Sequence, residues 1–229
     1  MDLSKILFLD IETVSQCPAF EEAPKTHQDL WELKANFLMK EEEDSVDSVY
    51  ERAGIYAEFG KIVCISVGFI NQNVAQADLR VKSFSGKDEK QLLESFAGLL
   101  DSHYNSPDHL LCAHNGKEFD FPYIARRMII NGVKIPKILN IMGKKPWEVG
   151  HLDTMQMWKF GDFKNYTSLK LLAHSFGIPS PKDDIDGSDV GRVFWEEDDL
   201  DRIVTYCEKD VLTLAKVYLK LVQSHIELG

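Results

Sequence analysis

The sequence predicts an α/β fold built around one sheet of mixed direction, and three observations carry that expectation. Ile6–Leu9 is an unbroken apolar run, the pattern of a strand buried on both faces. Two further strand patterns, Lys61–Ile70 and Leu79–Phe84, are separated only by a turn at Asn71 and Asn73, and such short connections favour a three-strand antiparallel meander. An amphipathic helix over Asp88–Tyr104 then leads to another buried run, Leu110–His114. A helix between strands implies a crossover, so this fourth strand is expected to lie parallel to the first.

The remaining elements follow in order. Between Thr13 and Lys61, two stretches have helix-like apolar spacing. They are Gln28–Lys40 through Leu30, Leu33, Phe37 and Leu38, and Ser48–Phe59 through Val49, Ala53, Tyr56 and Ala57. This region reads as a helical insertion at about residues 14–60 within one domain spanning 1–229. In the Asp88–Tyr104 helix, Leu92, Leu93, Phe96, Leu99 and Leu100 share a side, and Ser85–Asp88 offers N-caps. Phe121–Asn131 is a helix closed by Asn131-Gly132. His151–Trp158 reads as a fifth strand, and Ser168–Phe176 as a short helix closed by Gly177. Asp199–Val222 is a terminal helix with Leu200, Ile203, Cys207, Val211, Leu214 and Tyr218 along one stripe. The sum is a five-stranded sheet, three strands antiparallel and two parallel, flanked by helices.

Length and composition narrow the classes. The 229 residues suffice for one large domain, and no apolar run reaches membrane-spanning length. Met1–Lys5 enters the first strand directly, so no secretory signal is expected. Cys17, Cys64, Cys112 and Cys207 are scattered without paired spacing, which suits a reducing cytoplasm. A net charge of −11 opposes a nucleic-acid partner at first sight. The charge is uneven, however. Acids concentrate at Glu41–Asp44 and between Asp183 and Asp201, whereas Arg126, Arg127, Lys134, Lys137, Lys144, Lys145, Lys159, Lys164 and Lys170 make the middle basic. That basic middle is expected to line one side of a groove for a phosphate backbone. None of the seven histidines forms a close pair at zinc-ligand spacing.

Chemistry begins at the end of the first strand. Asp10 and Glu12 flank Ile11, and a strand's period of two sends both carboxylates to the same face. Paired acids beside a core strand repel each other and lose hydration, a cost that a divalent cation removes. Asp120 stands just before a helix opened by Pro122. It reads either as an N-cap or, if the fourth strand neighbours the first, as a third acid beside Asp10 and Glu12. In the terminal helix Tyr206 and Asp210 are one turn apart, close to the apolar stripe. An inward Asp needs a partner: a lysine, a backbone amide, or a metal shared with the first two acids.

Taken together, Asp10-x-Glu12, Asn115-Gly-Lys-Glu-Phe119-Asp120 with Pro122-Tyr123, and Tyr206-x-x-x-Asp210 resemble the tyrosine subgroup of the DEDD exonuclease superfamily. The second motif is most similar to that of the 3′–5′ proofreading exonuclease domain of family B DNA polymerases. Asn165–Gly177 followed by Lys182 also resembles the helix before that family's third motif. The resemblance runs from Ile6 to about Leu221; the insertion has no counterpart in it, and a stand-alone relative of the proofreading domain is expected.

The resemblance implies a ribonuclease-H-like fold and two-metal hydrolysis of nucleotides from a 3′ end, probably of single-stranded DNA. It implies Mg²⁺ as the ion, with Mn²⁺ as a substitute, since oxygen ligands and a phosphate substrate suit both. By analogy Asp10 bridges the two ions, Glu12 and Asp210 complete the first site, Asp120 holds the second, and Tyr206 orients the attacking water. Thr13, Asn115, Phe119 and Lys182 are the expected substrate contacts. Phe119 reads equally as a stacking face for the terminal base or as a core aromatic. An exoribonuclease of the same superfamily remains open, because the metal site does not read the 2′ position, and so does a catalytically silent nucleic-acid-binding module.

Overall fold

A computed structural model describes residues 2–41, 43–71, 77–162, 166–179, 184–226 and 228. The strands are β1 (Ile6–Ser15), β2 (Gly60–Asn71), β3 (Asp78–Ser85), β4 (Leu110–Ala113) and β5 (Leu152–Asp153). They form one five-stranded sheet in the order β3-β2-β1-β4-β5. β1 pairs antiparallel with β2 and parallel with β4, β2 pairs antiparallel with β3, and β4 pairs parallel with β5. The helices are α1 (Lys25–Ala35), α2 (Val46–Tyr50), α3 (Glu89–His103), α4 (Asp120–Ile130), α5 (Thr154–Lys159), α6 (Leu169–Ser175), α7 (Val190–Trp195) and α8 (Leu200–Leu221). This is the mixed α/β sheet that the sequence predicts.

The alternation along β1 decides what each face of the sheet does. Leu7, Leu9 and Ile11 pack with α3 and α4 through Leu93, Phe96, Leu100, Phe121 and Ile124. Ile6 and Phe8 point the other way, onto Val211, Leu214 and Tyr218 of α8. Asp10 and Glu12 continue that second face, followed by Val14 among Val193, Phe194, Ile203 and Cys207. The acid pair therefore sits within the surface that α8 covers. Burying each large apolar side chain of the α8 stripe contributes about 1.5–3 kcal/mol, which fixes the helix along this face. Gly68 of β2 permits its close approach, since a Cβ there would lie 2.8 Å from Val211 Cγ1. Beside the acids the β1–β2 ladder shifts register between Glu12 and Thr13, an irregularity of the kind that re-aims side chains.

Several sequence expectations are corrected. The fifth strand is confined to Leu152–Asp153, and Thr154–Lys159 is helical. The Asp153 carboxylate accepts hydrogen bonds from the Met155 and Gln156 amides, an N-cap that starts the helix where the strand was expected to continue. α1 starts earlier and ends earlier than its apolar spacing predicts. Leu30, Leu33 and Phe37 are exposed, while Trp31 and Ala35 are buried against Val49, Tyr50 and Ala53. The large indole outcompetes the leucines for the interior. The second insertion helix is α2 followed by a 3-10 turn over Glu51–Ile55. α7 falls in the acidic stretch, where no helix was expected.

The segment between β1 and β2 is fastened to the core by polar contacts. Tyr123 of α4 donates to the Gly54 carbonyl at 2.6 Å. Arg127 donates through Nη1 to the Ala57 carbonyl at 2.8 Å and through Nε to the Glu89 carboxylate at 2.8 Å. Glu89 also accepts from the Ile62 amide at 2.7 Å and from Asn131 at 2.9 Å. Both charged side chains are buried. Arg127 is thus an interior anchor, which corrects its expected place among the cations of a nucleic-acid groove.

Candidate active site

Three distant segments meet beside Ile11. β4 is short, with β1–β4 pairing recorded for Ile6, Leu7 and Phe8. Beyond it the carboxylate of Asp120, at the N-terminus of α4, lies beside the Ile11 amide, which favours its charged form. Asp120 thus lies against the residue that separates Asp10 from Glu12. It starts α4 as the first helical residue, with Phe119 in the cap position, and its carboxylate faces both its own amide and that of Ile11. From the opposite side α8 brings Tyr206 and Asp210, whose side chains are hydrogen-bonded to each other and close enough for their charges to act on Glu12 and Asp10.

The electrostatics follow from this crowding. Asp10 is pushed well above the ordinary carboxylate range by burial first, then by the charges of Glu12, Asp120 and Asp210. Glu12 is raised well above its ordinary range by burial and by Asp210. Burial lifts Asp120 from 3.8 to about 7, partly offset by the amides of Asp120 and Ile11. The Tyr206 phenol is raised by burial and by the Asp210, Glu12 and Asp10 charges, so it stays protonated and donates.

Ligand atoms of Asp10, Glu12 and Cys207 lie within 4.8 Å of one another. Cys207 is buried, and its thiol donates to the Asp10 carbonyl and to Asp10 Oδ2, both at 3.5 Å. Burial and nearby acids push this thiol well above its usual range, so it acts as a hydrogen-bond donor. The donors left for a cation are carboxylate oxygens, a set that fits a hard divalent ion such as Mg²⁺ or Mn²⁺.

These shifts have a thermodynamic consequence. Between 3.8 and about 7 the folded protein keeps a proton on Asp120 that the unfolded chain has lost. Folding stability of the metal-free protein is therefore expected to fall as pH rises through that window. The raised Asp10 and Glu12 act with the same sign. Melting temperatures of chelated protein should be higher near about pH 5.5 than near about pH 8, and Mg²⁺ should restore stability mainly at the higher pH. A melting temperature that rises with pH in chelator would show that the carboxylates are not protonated in the fold.

The loop from β4 to α4 carries the expected substrate contacts. Asn115 adopts a left-handed backbone with φ 63°, and its buried Oδ1 has no hydrogen-bond partner among the described residues. The Asn115 and Lys117 amides donate to Asp153 Oδ1 and Oδ2, each at 3.1 Å. Gly116 tucks against Ala113, whose Cβ would be 2.4 Å from an added Cβ. Phe119 is half-buried, packs on the core and stands 5.3 Å from the Tyr123 ring. Thr13 hydrogen-bonds to the Tyr123 phenol. Lys182 lies outside the described residues.

Sequence reading did not single out Asp153, His114 or Cys207 as site residues. Asp153 fixes the loop through the amides of Asn115 and Lys117 while capping α5 through those of Met155 and Gln156. The readable signal was its place before a helical stretch, which the strand assignment masked.

Comparison with known proteins identifies the family. Residues 55–228 match the family described as "Predicted 3'-5' exonuclease related to the exonuclease domain of PolB". The chain belongs to this family, and it is an enzyme of the 3′–5′ exonuclease class. The match covers Asp120, Tyr206 and Asp210; β1, with Asp10 and Glu12, precedes it. No curated protein matches the chain by sequence. Among solved structures, the family B DNA polymerase of the hyperthermophilic archaeon Pyrobaculum calidifontis is 15% identical with a TM-score of 0.52, covering 96% of this chain and 26% of the polymerase. E. coli exonuclease I in complex with a dT13 oligonucleotide is 10% identical with a TM-score of 0.43, covering 95% of this chain and 42% of that one. The chain thus spans about a quarter of the polymerase's length. The fold is ribonuclease-H-like. Exonuclease domains of this kind depend on divalent metal. Among the described residues, no helix is long and apolar enough to cross a membrane.

Proposed function

We propose that the chain removes nucleotides one at a time from the 3′ end of single-stranded DNA, with two Mg²⁺ ions, or Mn²⁺ in their place, held by Asp10, Glu12, Asp120 and Asp210. The observation that carries this reading is the burial of Asp10, Glu12 and Asp120 close enough to one another, and to Asp210 of α8, for their charges to act on one another. Such ions, when bound, neutralise charge on the scissile phosphate and lower the pKa of water.

The chain's own groups supply the rest. Water attacks the terminal phosphorus, the bond to the upstream 3′ oxygen breaks, and that oxygen leaves as a hydroxyl. Tyr206, kept protonated and bonded to Asp210, positions the attacking water by a hydrogen bond rather than acting as a base. Cys207 holds Asp10 in place through its carbonyl and Oδ2. Asn115, partly exposed at the end of β4, meets the terminal nucleotide in this reading, and the exposed part of Phe119 supplies a face for its base. Thr13 and Lys182 are the remaining substrate contacts in this reading. Four free cysteines suit a reducing cytoplasm as the place of action.

Tyr206→Phe separates positioning from metal holding. It removes one hydroxyl and leaves every carboxylate in place, so metal affinity should hardly change. Single-turnover cleavage should slow by about 10²–10³-fold, the range for one oriented polar group in a transition state. Wild-type rates from this variant across a Mg²⁺ titration would remove the tyrosine from the mechanism. Reaction class and sugar preference are tested with 5′-labelled DNA and RNA single strands. Shortening from the 3′ end, faster on DNA, is expected. Preferential RNA trimming would make the enzyme an exoribonuclease, and intact strands of both kinds would contradict the reading.

A further inference from the structure

We propose that Trp158, Phe160 and Tyr166 form a stacking track for the bases upstream of the scissile 3′ end, so that the protein grips single strands by base faces as well as by phosphates. This rests on the nuclease reading given above.

The three rings are exposed by 38%, 87% and 69%, respectively, and all belong to α5 and its connection to α6. Phe160 takes a left-handed backbone with φ 43°, a conformation that costs a bulky residue energy. This is the left-handed cap that ends α5, and it leaves the Phe160 ring facing solvent.

Two ties place these rings beside the candidate active site. The first is His114, the residue before Asn115. Its Nε2–H donates to the Thr167 carbonyl at 2.8 Å, next to Tyr166, and its Nδ1 accepts from the Thr154 hydroxyl at 2.9 Å, at the start of α5. The carbonyl can only accept, which fixes this tautomer, and burial lowers the pKa of the ring. Both ends of the aromatic segment thus hang from the strand that leads to Asp120. The second tie is α8, since Met157 and Leu169 pack into the cluster containing Val211, the neighbour of Asp210. The elements that carry the rings are therefore fastened both to the strand that leads to Asp120 and to the helix that supplies Asp210.

The occupant follows from charge and shape. A chain of net charge −11 repels a polyanion at long range, so phosphate contacts are a poor sole source of affinity. Base stacking is indifferent to net charge and tolerates any sequence. Lys159, between Trp158 and Phe160, and Lys170 of α6 offer local cations for the backbone, with Asp162 close in sequence and Asp186 close to Lys170 as nearby acids.

The test is binding of a labelled oligothymidylate, followed by fluorescence anisotropy in Ca²⁺, to the wild type and to Trp158→Ala, Phe160→Ala, Tyr166→Ala and the triple variant. Each substitution should weaken binding about tenfold, a typical loss for one stacked base. A strand with abasic upstream positions should bind the wild type as weakly as the intact strand binds the triple variant. Cleavage of a dinucleotide, too short to reach the rings, should be unchanged, and melting curves of Phe160→Ala and Tyr166→Ala should coincide with the wild type because those rings are exposed, whereas Trp158, whose ring also packs on that of Phe176 at 5.5 Å, is read in addition as Trp158→Phe. Equal affinity of the wild type and the triple variant for the intact strand would overturn the track and leave the rings to another partner. So would equal affinity of the wild type for the intact and abasic strands. The binding arm stands by itself: a wild type that cleaves nothing yet shows these losses keeps the track and sinks the nuclease reading.

Discussion

Asp210→Asn is expected to abolish strand cleavage, with a loss greater than about 10³-fold that added Mg²⁺ does not rescue. Asparagine keeps the shape of the side chain but removes a charge that faces Glu12 and Asp10 from α8. Those two acids are already raised by burial and mutual repulsion, so a cation is their natural counter-charge, and each carboxylate lost weakens its hold. The same change relieves repulsion in the metal-free protein. Asp210→Asn should therefore melt no lower than the wild type in chelator, which distinguishes a lost metal ligand from a damaged fold. Activity within tenfold of wild type would remove Asp210 from the metal site.

The largest stability effect is expected at Arg127. Its guanidinium is buried, paired with Glu89 and bonded to the Ala57 carbonyl. Arg127→Ala strands the Glu89 charge and an unsatisfied carbonyl in the interior, a change that costs about 3–5 kcal/mol. Replacing both partners with apolar residues of similar volume, Arg127→Met with Glu89→Leu, should recover most of that loss, because no buried charge is then left unpaired. The Ile62 amide and Asn131, which also bond Glu89, keep the recovery below complete. Urea denaturation of the single and double variants measures the difference. A loss below about 1 kcal/mol in Arg127→Ala would show that water reaches Glu89 and that the pair does not anchor the insertion.

The parts of the protein that the sequence disclosed are those governed by periodicity. Ile6–Leu9 and the alternation beyond it placed β1 and sent Asp10 and Glu12 to one face, and the structure has them there with α8 above. The apolar stripe of α8 likewise fixed which side of that helix carries Tyr206 and Asp210. What was hidden depends on contacts rather than spacing. Asp153 caps α5 and clamps the Asn115 loop through backbone amides, a role that any acid in a strand-like stretch conceals. Trp31 displaced the regular Leu30, Leu33 and Phe37 face from the interior of α1 because one large ring fills the space more fully. Arg127 looked like a surface cation next to Arg126, and only the position of Glu89 on α3 reveals why it turns inward. Asp120 was ambiguous between a cap and a site acid. In the structure it is buried with Asp10 and Glu12, its carboxylate beside the Ile11 amide.

Binding of Mn²⁺ to metal-free protein, followed by titration calorimetry at about pH 8 in buffers of different ionisation enthalpy, tests the central claim most directly. The account predicts two ions per chain, release of protons on binding because the carboxyls are raised in the free state, and loss of both ions in Asp10→Asn. Absence of binding, or an Asp10→Asn variant that binds Mn²⁺ as the wild type does, would contradict a metal site formed by Asp10, Glu12, Asp120 and Asp210.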